Sequence, residues 1–305
     1  MYDVIVVGGG PAGMTAALYA LRNGKSVLVI EKNGFGGQIT HSPKVENYPG
    51  TLSMSGNEFA DRMLDQILAQ GAEIEFETVT SVQSLPDCKE VKTEEGSTFT
   101  SETVILATGV KHRMLGLEGE NELVGEGISF CAVCDGDFYS GKHVCVAGGG
   151  NSALQEAILL AEKCSEVTVL QDLPFLTGES KLQETLRSRK NVQIITGVGI
   201  TGLLQENGEF KGVEITQKED GETCRVSCDG LFVAIGLIPE NDAFKELAEL
   251  DERGYFDADE QCLTKTPGIY VAGDCRRKQI RQLTTAAADG ACAALAACRY
   301  INERK

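Results

Sequence analysis

Short apolar runs alternate with glycines and helical stretches at the start of the chain. Residues 4–7 are mostly β-branched, residues 8–13 carry closely spaced glycines, residues 11–22 are rich in Ala and Leu, and residues 27–30 form a second apolar run. Short apolar runs beside glycines are typical of buried strands, and longer Ala/Leu stretches are typical of helices. The pattern therefore predicts a strand, a tight turn, a helix and a second strand.

The glycines of this turn have the spacing of a dinucleotide-binding motif. Gly8, Gly10 and Gly13 occupy the G-x-G-x-x-G positions, and Glu31 closes the second strand. In such a motif the first glycine permits the turn, the second lets the backbone approach a pyrophosphate, and the third lets helix pack on strand. The helix N-terminus faces the phosphates, and a carboxylate at Glu31 accepts the ribose hydroxyls. A dinucleotide site is predicted here.

The same order of elements returns in residues 142–172, with Ala153 in place of the third glycine. An internal repeat of this kind predicts two nucleotide-binding modules. No Arg or Lys lies between Val167 and Glu179, so no local cation is available for a 2′-phosphate. A degenerate unit kept as a scaffold is the alternative. The candidate residues of this second nucleotide site are Gly148, Gly150, Asn151, Ser152, Gln171 and Asp172.

Two further strand-like runs mark where the chain passes between modules. One ends in "ATG" at residues 107–109, and the other is "CDGLFVAIGLIPEN" at residues 228–241. We predict an α/β fold of two Rossmann-like, three-layer modules, the second inserted in the first. The predicted boundaries are 1–112 for the first part of the first module, 113–240 for the inserted module and 241–305 for the second part of the first module.

Near the end of the chain a predicted strand is followed by Gly273 and Asp274, and an alanine-rich helix is predicted to begin around Gln282. A carboxylate at this place can hold a ribityl hydroxyl, and the helix N-terminus can stabilise negative charge on a reduced flavin. The alternative is a loop acid before a packing helix.

Composition narrows the classes of partner. The chain of 305 residues has a formal charge of -17, from 28 basic and 45 acidic residues, which argues against nucleic acid and anionic membranes. Strand-like sequence from Tyr2 leaves no room for a signal peptide, and no apolar run approaches the roughly 20 residues of a membrane span. We predict a cytoplasmic protein.

Two of the eleven cysteines stand apart in "FCAVCDG" as Cys131 and Cys134. The other nine are scattered, as is usual for reduced thiols. A zinc site needs four ligands, but the nearest second pair is the distant Cys224 and Cys228, and the chain has three histidines. We predict no metal and favour an electron-carrying pair, with a zinc site and a static disulfide as alternatives.

These motifs together resemble the low-molecular-weight thioredoxin reductases, FAD flavoproteins that reduce a thioredoxin-like disulfide. The resemblance covers essentially the whole chain. It rests on "GGGPAG", "FGGQI", "VENYPG", "ATG", "CAVCDG", "GGGNSA", "AGDC" and "RQLTTAAADG", which occur in the family's order.

The resemblance implies a role for each matching residue. Cys131 attacks the disulfide of the partner, Cys134 lies near the flavin, and Asp135 protonates the leaving thiolate. It also implies a homodimer. The residues that it assigns to FAD are Gly8, Gly10, Gly13, Glu31, Gln38, Asn47, Asp274, Arg281 and Gln282.

The electron donor is where the chain departs from the family. NADPH-using members carry a His-Arg-Arg segment with a further Arg after the second Rossmann strand, and this chain has "QDLPFLT" there. We therefore predict NADH rather than NADPH. A ferredoxin-linked enzyme is one alternative, for which a local basic cluster of Arg276, Arg277, Lys278 and Arg281 offers a docking surface. A non-enzymatic FAD-binding sensor is the other.

Overall fold

The computed structural model describes residues 1–42 and 45–304. Its α-helices are α1 Pro11–Arg22, α2 Gly56–Ala69, α3 Ala132–Asp135, α4 Asn151–Leu160, α5 Ser180–Arg187 and α6 Leu283–Glu303. Its strands are β1 Tyr2–Val7, β2 Val27–Ile30, β3 Glu73–Glu75, β4 Val79–Ser84, β5 Lys89–Thr93, β6 Thr98–Leu106, β7 Val110–His112, β8 Ile128–Ser129, β9 His143–Ala147, β10 Glu166–Gln171, β11 Val192–Thr196, β12 Val198–Glu206, β13 Glu209–Gln217, β14 Thr223–Ser227, β15 Gly230–Val233, β16 Leu237–Pro239 and β17 Ile269–Val271.

The chain divides into two compact units. The first consists of Met1–Thr40, Tyr48–Lys111 and Ile238–Lys305, and the second of His41–Asn47 and His112–Leu237. The main body of the second unit thus lies inside the sequence of the first. β7 and β16, which pair with each other, are the strands at the two crossings.

The first unit is built on a seven-stranded sheet of order β3-β2-β1-β6-β5-β4, with β17 also paired to β6. β1, β2, β3, β6 and β17 are parallel, whereas β4 and β5 form an antiparallel extension. Residues 4–7 and 27–30 are buried on both sides of the sheet, which explains their continuous apolar sequence.

Helices α1 and α6 pack closely in this unit. A Cβ at Gly290 of α6 would overlap the carbonyl oxygen of Ala12 in α1, so the two backbones approach as only glycine allows. Buried alanines from both helices, among them Ala16, Ala293 and Ala297, join one core with β1. The alanine-rich composition of α6 follows from this close approach.

The second unit has a parallel five-stranded sheet of order β11-β10-β9-β15-β8 and an antiparallel three-stranded sheet of order β12-β13-β14. Buried residues of β9, β10 and β15 form its core with α4. The strand-turn-helix-strand units β1-α1-β2 and β9-α4-β10 confirm the predicted α/β class with two Rossmann-like modules. Within the described residues, no helix is long and apolar enough to cross a membrane.

Candidate functional site

The first glycine turn joins β1 to α1 and leaves open space in front of the helix. Gly8 has a φ of 109°, and a Cβ there would overlap the carbonyl of Ala107. A Cβ at Gly13 would overlap the carbonyl oxygen of Gly8. At Gly10 the nearest atom to an added Cβ is 4.0 Å away, on Gly36. Packing therefore requires the first and third glycines, whereas the second has no close neighbour among the described residues.

Glu31 at the end of β2 is fixed beside this turn. Its Oε2 accepts a hydrogen bond from the amide of Gly9 at 2.6 Å, and its Oε1 accepts one from the amide of Asn33 at 2.9 Å. An ionised carboxylate has further lone pairs beyond these two bonds. The side chain is thus held in place with capacity to accept ribose hydroxyls.

Asp274 follows β17 in a segment that passes close to the start of α1. Gly273 has a φ of 85°, and a Cβ there would lie 2.7 Å from that of Ala12. Within the described part of the chain, Oδ1 of Asp274 is buried without a hydrogen-bond partner. Burial raises the pKa of this carboxyl, while Lys278 and Arg281 act in the opposite direction. A buried acceptor without a partner is costly, so it marks a place for a hydroxyl donor.

Arg281 and Gln282 connect this segment to α6. The guanidinium of Arg281 lies over the ring of Tyr255, 4.4 Å from its centroid, and donates to the carbonyl of Asp274 at 3.3 Å. Gln282 is the N-cap of α6. Its backbone amide donates a hydrogen bond to Oγ1 of Thr285 at 3.1 Å as part of a capping box. The helix start and the Asp274 segment are thereby held together.

The basic cluster expected as a docking surface is largely committed inside the unit. Arg276 donates to both carboxylate oxygens of Asp289, at 2.8 Å each, and Lys278 donates to the same group at 2.8 Å. Arg277 is exposed but pairs with Asp257 at 2.8 Å. Arg276 and Lys278 are therefore buried in ion pairs and do not belong to the basic docking surface that the sequence suggested.

Gln38 and Asn47 lie in different units. Gln38 is exposed in the 3-10 turn Gly37–His41, directly after Gly37, whose added Cβ would lie 3.5 Å from the Cα of Gly10. It is therefore a neighbour of the first glycine turn. Asn47 is exposed in the segment His41–Asn47, which belongs to the second unit.

Cys131 and Cys134 form a disulfide across the single turn of α3, with their Cα atoms 5.3 Å apart. Cys131 is the N-cap, and its Sγ accepts a hydrogen bond from the amide of Cys134 at 3.2 Å. Both cysteines are half-buried, and Val133 between them is 54% exposed. The two-residue spacer thus brings the sulfurs together at the edge of the unit, where a disulfide can store and release two electrons.

Asp135 lies directly behind this pair and is buried. Its Oδ2 accepts a hydrogen bond from the hydroxyl of Ser129 at 2.6 Å, and Ser129 in turn accepts one from the amide of Cys131 at 3.1 Å. Burial raises the pKa of Asp135, against hydrogen bonds from Ser129 and Ser42 that lower it. Burial thus shifts this carboxyl toward its protonated form relative to an exposed aspartate. A cavity of about 190 Å³ is lined by Gly125, Ile128, Ser129, Asp135, Phe138 and Tyr139.

The second glycine turn repeats the geometry of the first. Gly148 has a φ of 125°, and a Cβ there would lie 2.6 Å from the carbonyl oxygen of Ala234. At Gly150 the nearest atom to an added Cβ is Oγ1 of Thr177, at 3.7 Å. Ala153 fills the third position and is fully buried. The second turn, like the first, thus has a crowded first glycine and more open space at the second, in front of α4.

The start of α4 differs from that of α1 in its charge. Asn151 and Ser152, its first two residues, are exposed. Asn151 donates from Nδ2 to Oε1 of Glu179 at 2.9 Å and accepts from the amide of Glu179 at 2.7 Å. A carboxylate is therefore tethered near this helix N-terminus.

Gln171 takes the place in the second unit that Glu31 has in the first. It is buried, and a Cβ at Gly149 would lie 2.6 Å from its Cδ. Its Nε2 donates to the carbonyl of Phe175 at 3.3 Å. An amide side chain with one donor already used therefore stands where a carboxylate would bind the ribose.

Asp172, the next residue, is exposed and pairs with a cation that the sequence did not indicate. Nζ of Lys218 lies 3.4 Å from its Oδ2. Lys218 follows β13, 46 residues further along the chain. The neighbouring sequence has no Arg or Lys, and the fold supplies this cation from a distant part of the chain.

Sequence reasoning missed Ser129, Lys218 and Asp289. Ser129 stands two residues before Cys131, so its closeness to the motif was a usable signal. Lys218 and Asp289 gave no local signal, because their partners are brought to them by the fold.

The residues of the first unit fit FAD. The open cradle at Gly10 admits a pyrophosphate, Glu31 is oriented for a ribose, and the buried Oδ1 of Asp274 lacks a donor. No acidic residue lies in the first turn of α1, so its N-terminus is free for negative charge.

Known proteins with the same sequence pattern cover the whole chain. The family model for pyridine nucleotide-disulphide oxidoreductases matches residues 2–290. Thioredoxin reductase of Listeria monocytogenes is 38% identical over 307 residues, covering 100% of this chain and 95% of that protein. Thioredoxin reductase of Treponema pallidum is 40% identical over 304 residues, covering 99% and 97%.

The solved structures agree with the sequence matches. The crystal structure of thioredoxin reductase from Streptococcus pyogenes has a TM-score of 0.93 and 36% identity, covering 99% of each chain. Since the family model and the full-length relatives coincide with the folded units and their motifs, this chain belongs to the pyridine nucleotide-disulphide oxidoreductases and, within them, to the flavoprotein enzymes of the thioredoxin reductase type.

Proposed function

We propose that this enzyme passes electrons from FAD through Cys131 and Cys134 to the disulfide of thioredoxin or a thioredoxin-like protein. The observation that carries the proposal is the disulfide across α3 with the buried Asp135 directly behind it. A non-enzymatic FAD-binding sensor, the alternative function, would need no acid at that position. Membership of an enzyme family also argues against a sensor.

The residues proposed to hold FAD lie in the first unit, with Gln38 as a further candidate. Gly8, Gly10 and Gly13 form the pyrophosphate cradle, and Glu31 and Asp274 accept hydroxyls. When bound, FAD supplies the two electrons that reduce the Cys131–Cys134 disulfide to a dithiol.

The chain's own part in the reaction is thiol–disulfide exchange. The thiolate of Cys131 attacks one sulfur of the partner's disulfide, and the other partner sulfur leaves with the electron pair of the broken bond. The thiolate of Cys134 then attacks Sγ of Cys131, which restores the intramolecular disulfide and releases the second partner sulfur. Two electrons and two protons reach the partner in each cycle.

Asp135 is the proposed general acid for the first leaving sulfur. Its hydrogen bond with Ser129 orients the carboxyl, and Ser129 also bonds to the amide of Cys131. Burial raises the pKa of Asp135, which is the direction that a general acid needs.

Serine variants of the two cysteines test the relay. Neither Cys131→Ser nor Cys134→Ser touches the first glycine turn, so both variants should retain bound FAD and its yellow colour. Both should lose reduction of thioredoxin. Normal thioredoxin turnover in either variant would exclude the relay, and a wild-type chain that binds no FAD would exclude the flavoprotein proposal itself.

We propose NADH as the electron donor, bound at the second glycine turn. The open cradle at Gly150 supports a dinucleotide there. At the ribose end, Asp172 repels a 2′-phosphate and is already paired with Lys218, which argues against NADPH. Ferredoxin is the competing donor, because the carboxylate of Glu179 near the start of α4 disfavours any pyrophosphate.

An anaerobic titration separates these donors. Flavin bleaching is followed on addition of NADH, NADPH and reduced ferredoxin in turn, and NADH is expected to bleach at the lowest nucleotide concentration. Bleaching by ferredoxin alone would make the second unit a scaffold.

Two further proposals follow from the family. We propose a homodimer, to be checked by sedimentation of the purified FAD-loaded enzyme, and a cytoplasmic location, to be checked by cell fractionation.

A further inference from the structure

The carboxylate of Asp289 in α6 accepts hydrogen bonds from two cationic side chains and from a backbone amide. Arg276 binds both of its oxygens at 2.8 Å, Lys278 binds Oδ2 at 2.8 Å, and the amide of Gly273 donates to Oδ2 at 3.0 Å. The side chains of Arg276, Lys278 and Asp289 are only 6%, 7% and 8% exposed. Two buried cations therefore share one buried carboxylate.

Lys278 stands between two carboxylates. Its Nζ is 2.8 Å from Oδ2 of Asp289 and 3.9 Å from Oδ1 of Asp274. The first distance is a hydrogen bond and the second is not. Oδ1 of Asp274 is the buried oxygen that has no hydrogen-bond partner in the described residues.

We propose that Asp289 is a positioning residue for FAD, which holds Lys278 and Arg276 so that Oδ1 of Asp274 remains available to a ribityl hydroxyl of the flavin. This inference rests on the proposed FAD site. Asp289 itself need not touch the flavin, since it acts through Lys278 and through the amide of Gly273.

The physical reason is competition for one acceptor. Without the negative charge of Asp289, Lys278 would be a buried cation with too little negative charge beside it. Its ammonium group would need only a short movement to form a hydrogen bond with Asp274. A charge-assisted bond from an ammonium is stronger than one from a neutral hydroxyl. The flavin would then have to displace Lys278 before it could bind Asp274.

The test measures FAD affinity rather than activity. Apoprotein of each variant is titrated with FAD, and binding is followed by quenching of flavin fluorescence. Asp289→Asn should raise the dissociation constant for FAD about tenfold or more, since a charge-assisted competitor must be displaced. The double variant Asp289→Asn with Lys278→Met should return it close to the wild-type value, because the competing cation is gone.

Asp257→Asn is the matched control. It removes the same charge from the exposed pair with neighbouring Arg277, and FAD affinity should not change. If Asp289→Asn binds FAD like the wild type, or if Lys278→Met fails to restore affinity in a folded double variant, Asp289 does not act through Lys278. Either result would overturn the inference while leaving the proposed function intact, because the wild-type chain would still bind FAD.

Asp289→Asn alone takes away the carboxylate that Arg276 and Lys278 share, so it can fail to fold. The double variant removes one anion and one cation, so its net charge equals that of the wild type. If Asp289→Asn does not fold, the double variant decides the test. It should fold with a near-UV circular dichroism spectrum like that of the wild type and bind FAD with near wild-type affinity, and weak FAD binding by a folded double variant would overturn the inference.

Discussion

Nζ of Lys218 lies 3.4 Å from Oδ2 of Asp172, the residue that directly follows β10 and for which we propose a place near the coenzyme ribose. Both side chains are more than half exposed, so this pair contributes little to stability. Its effect is on the local charge, because Asp172 neutralises the charge of Lys218.

Removing that carboxylate should change coenzyme preference. Asp172→Asn frees Lys218 to bind a 2′-phosphate, so the dissociation constant for NADPH should fall about tenfold, the equivalent of one charge-assisted bond. NADH should not gain, because it has no 2′-phosphate. Calorimetric titration of the FAD-loaded enzyme measures both constants. The double variant Asp172→Asn with Lys218→Met is the control, and a gain in NADPH affinity that persists in it would mean that Lys218 is not the cause.

The acid behind the cysteine pair should be visible in a pH profile. Since burial raises the pKa of Asp135, kcat/KM for thioredoxin should fall as pH rises through that raised pKa and the acid loses its proton. Asp135→Asn should slow the reaction about 100-fold and lack this fall.

Asp137→Asn is the matched control for the pH profile. Asp137 is exposed, pairs with Lys163 and lies two residues further on. The fall with pH should persist in this variant, and its persistence in Asp135→Asn as well would assign the titration to another group.

Alanine at two glycines of the first turn should separate folding from FAD binding. Gly13→Ala places a Cβ against the carbonyl oxygen of Gly8, so it should destabilise the fold by about 3 kcal/mol. Gly10→Ala has open space and an extended backbone with a φ of -77°. It should keep the wild-type denaturation midpoint but lose FAD, because the methyl group enters the cradle. If Gly10→Ala retained full FAD affinity, the cradle would not be the pyrophosphate site.

Glu156 in α4 should make stability depend on pH. Its Oε2 is buried without a hydrogen-bond partner among the described residues, and burial raises its pKa to about 8 from an ordinary 4.5. Between these two values the folded chain binds a proton that the unfolded chain has released, so the free energy of unfolding falls as pH rises. Below pH 4.5 both states are protonated and the effect disappears.

Glu156→Gln should remove that contribution. Its free energy of unfolding should change less between pH 5 and pH 8 than that of the wild type, by about 1–3 kcal/mol, as measured by urea denaturation of the FAD-loaded enzyme. Glu162→Gln, which alters an exposed pair with Arg189, should keep the wild-type dependence. Parallel curves for Glu156→Gln and the wild type would contradict a raised pKa at this position.

Several features were predictable because they are encoded in neighbouring residues. The spacing of Gly8, Gly10 and Gly13 specifies a turn between strand and helix, and the same spacing at Gly148 and Gly150 revealed the second module. The disulfide of Cys131 and Cys134 was equally readable, since one helical turn suffices to bring their sulfurs together. In each case short-range geometry determines the outcome.

The tertiary structure decided which charges meet. Lys218 and Asp172 are 46 residues apart, and the two carboxylates around Lys278 come from a loop and from α6. The sequence shows that Arg276, Arg277 and Lys278 are basic, but only the fold shows that Asp289 and Asp257 neutralise them. Because an ion pair depends on distance in space and on burial, the local sequence determined the turns and the cysteine pair, and long-range packing determined the electrostatics around them.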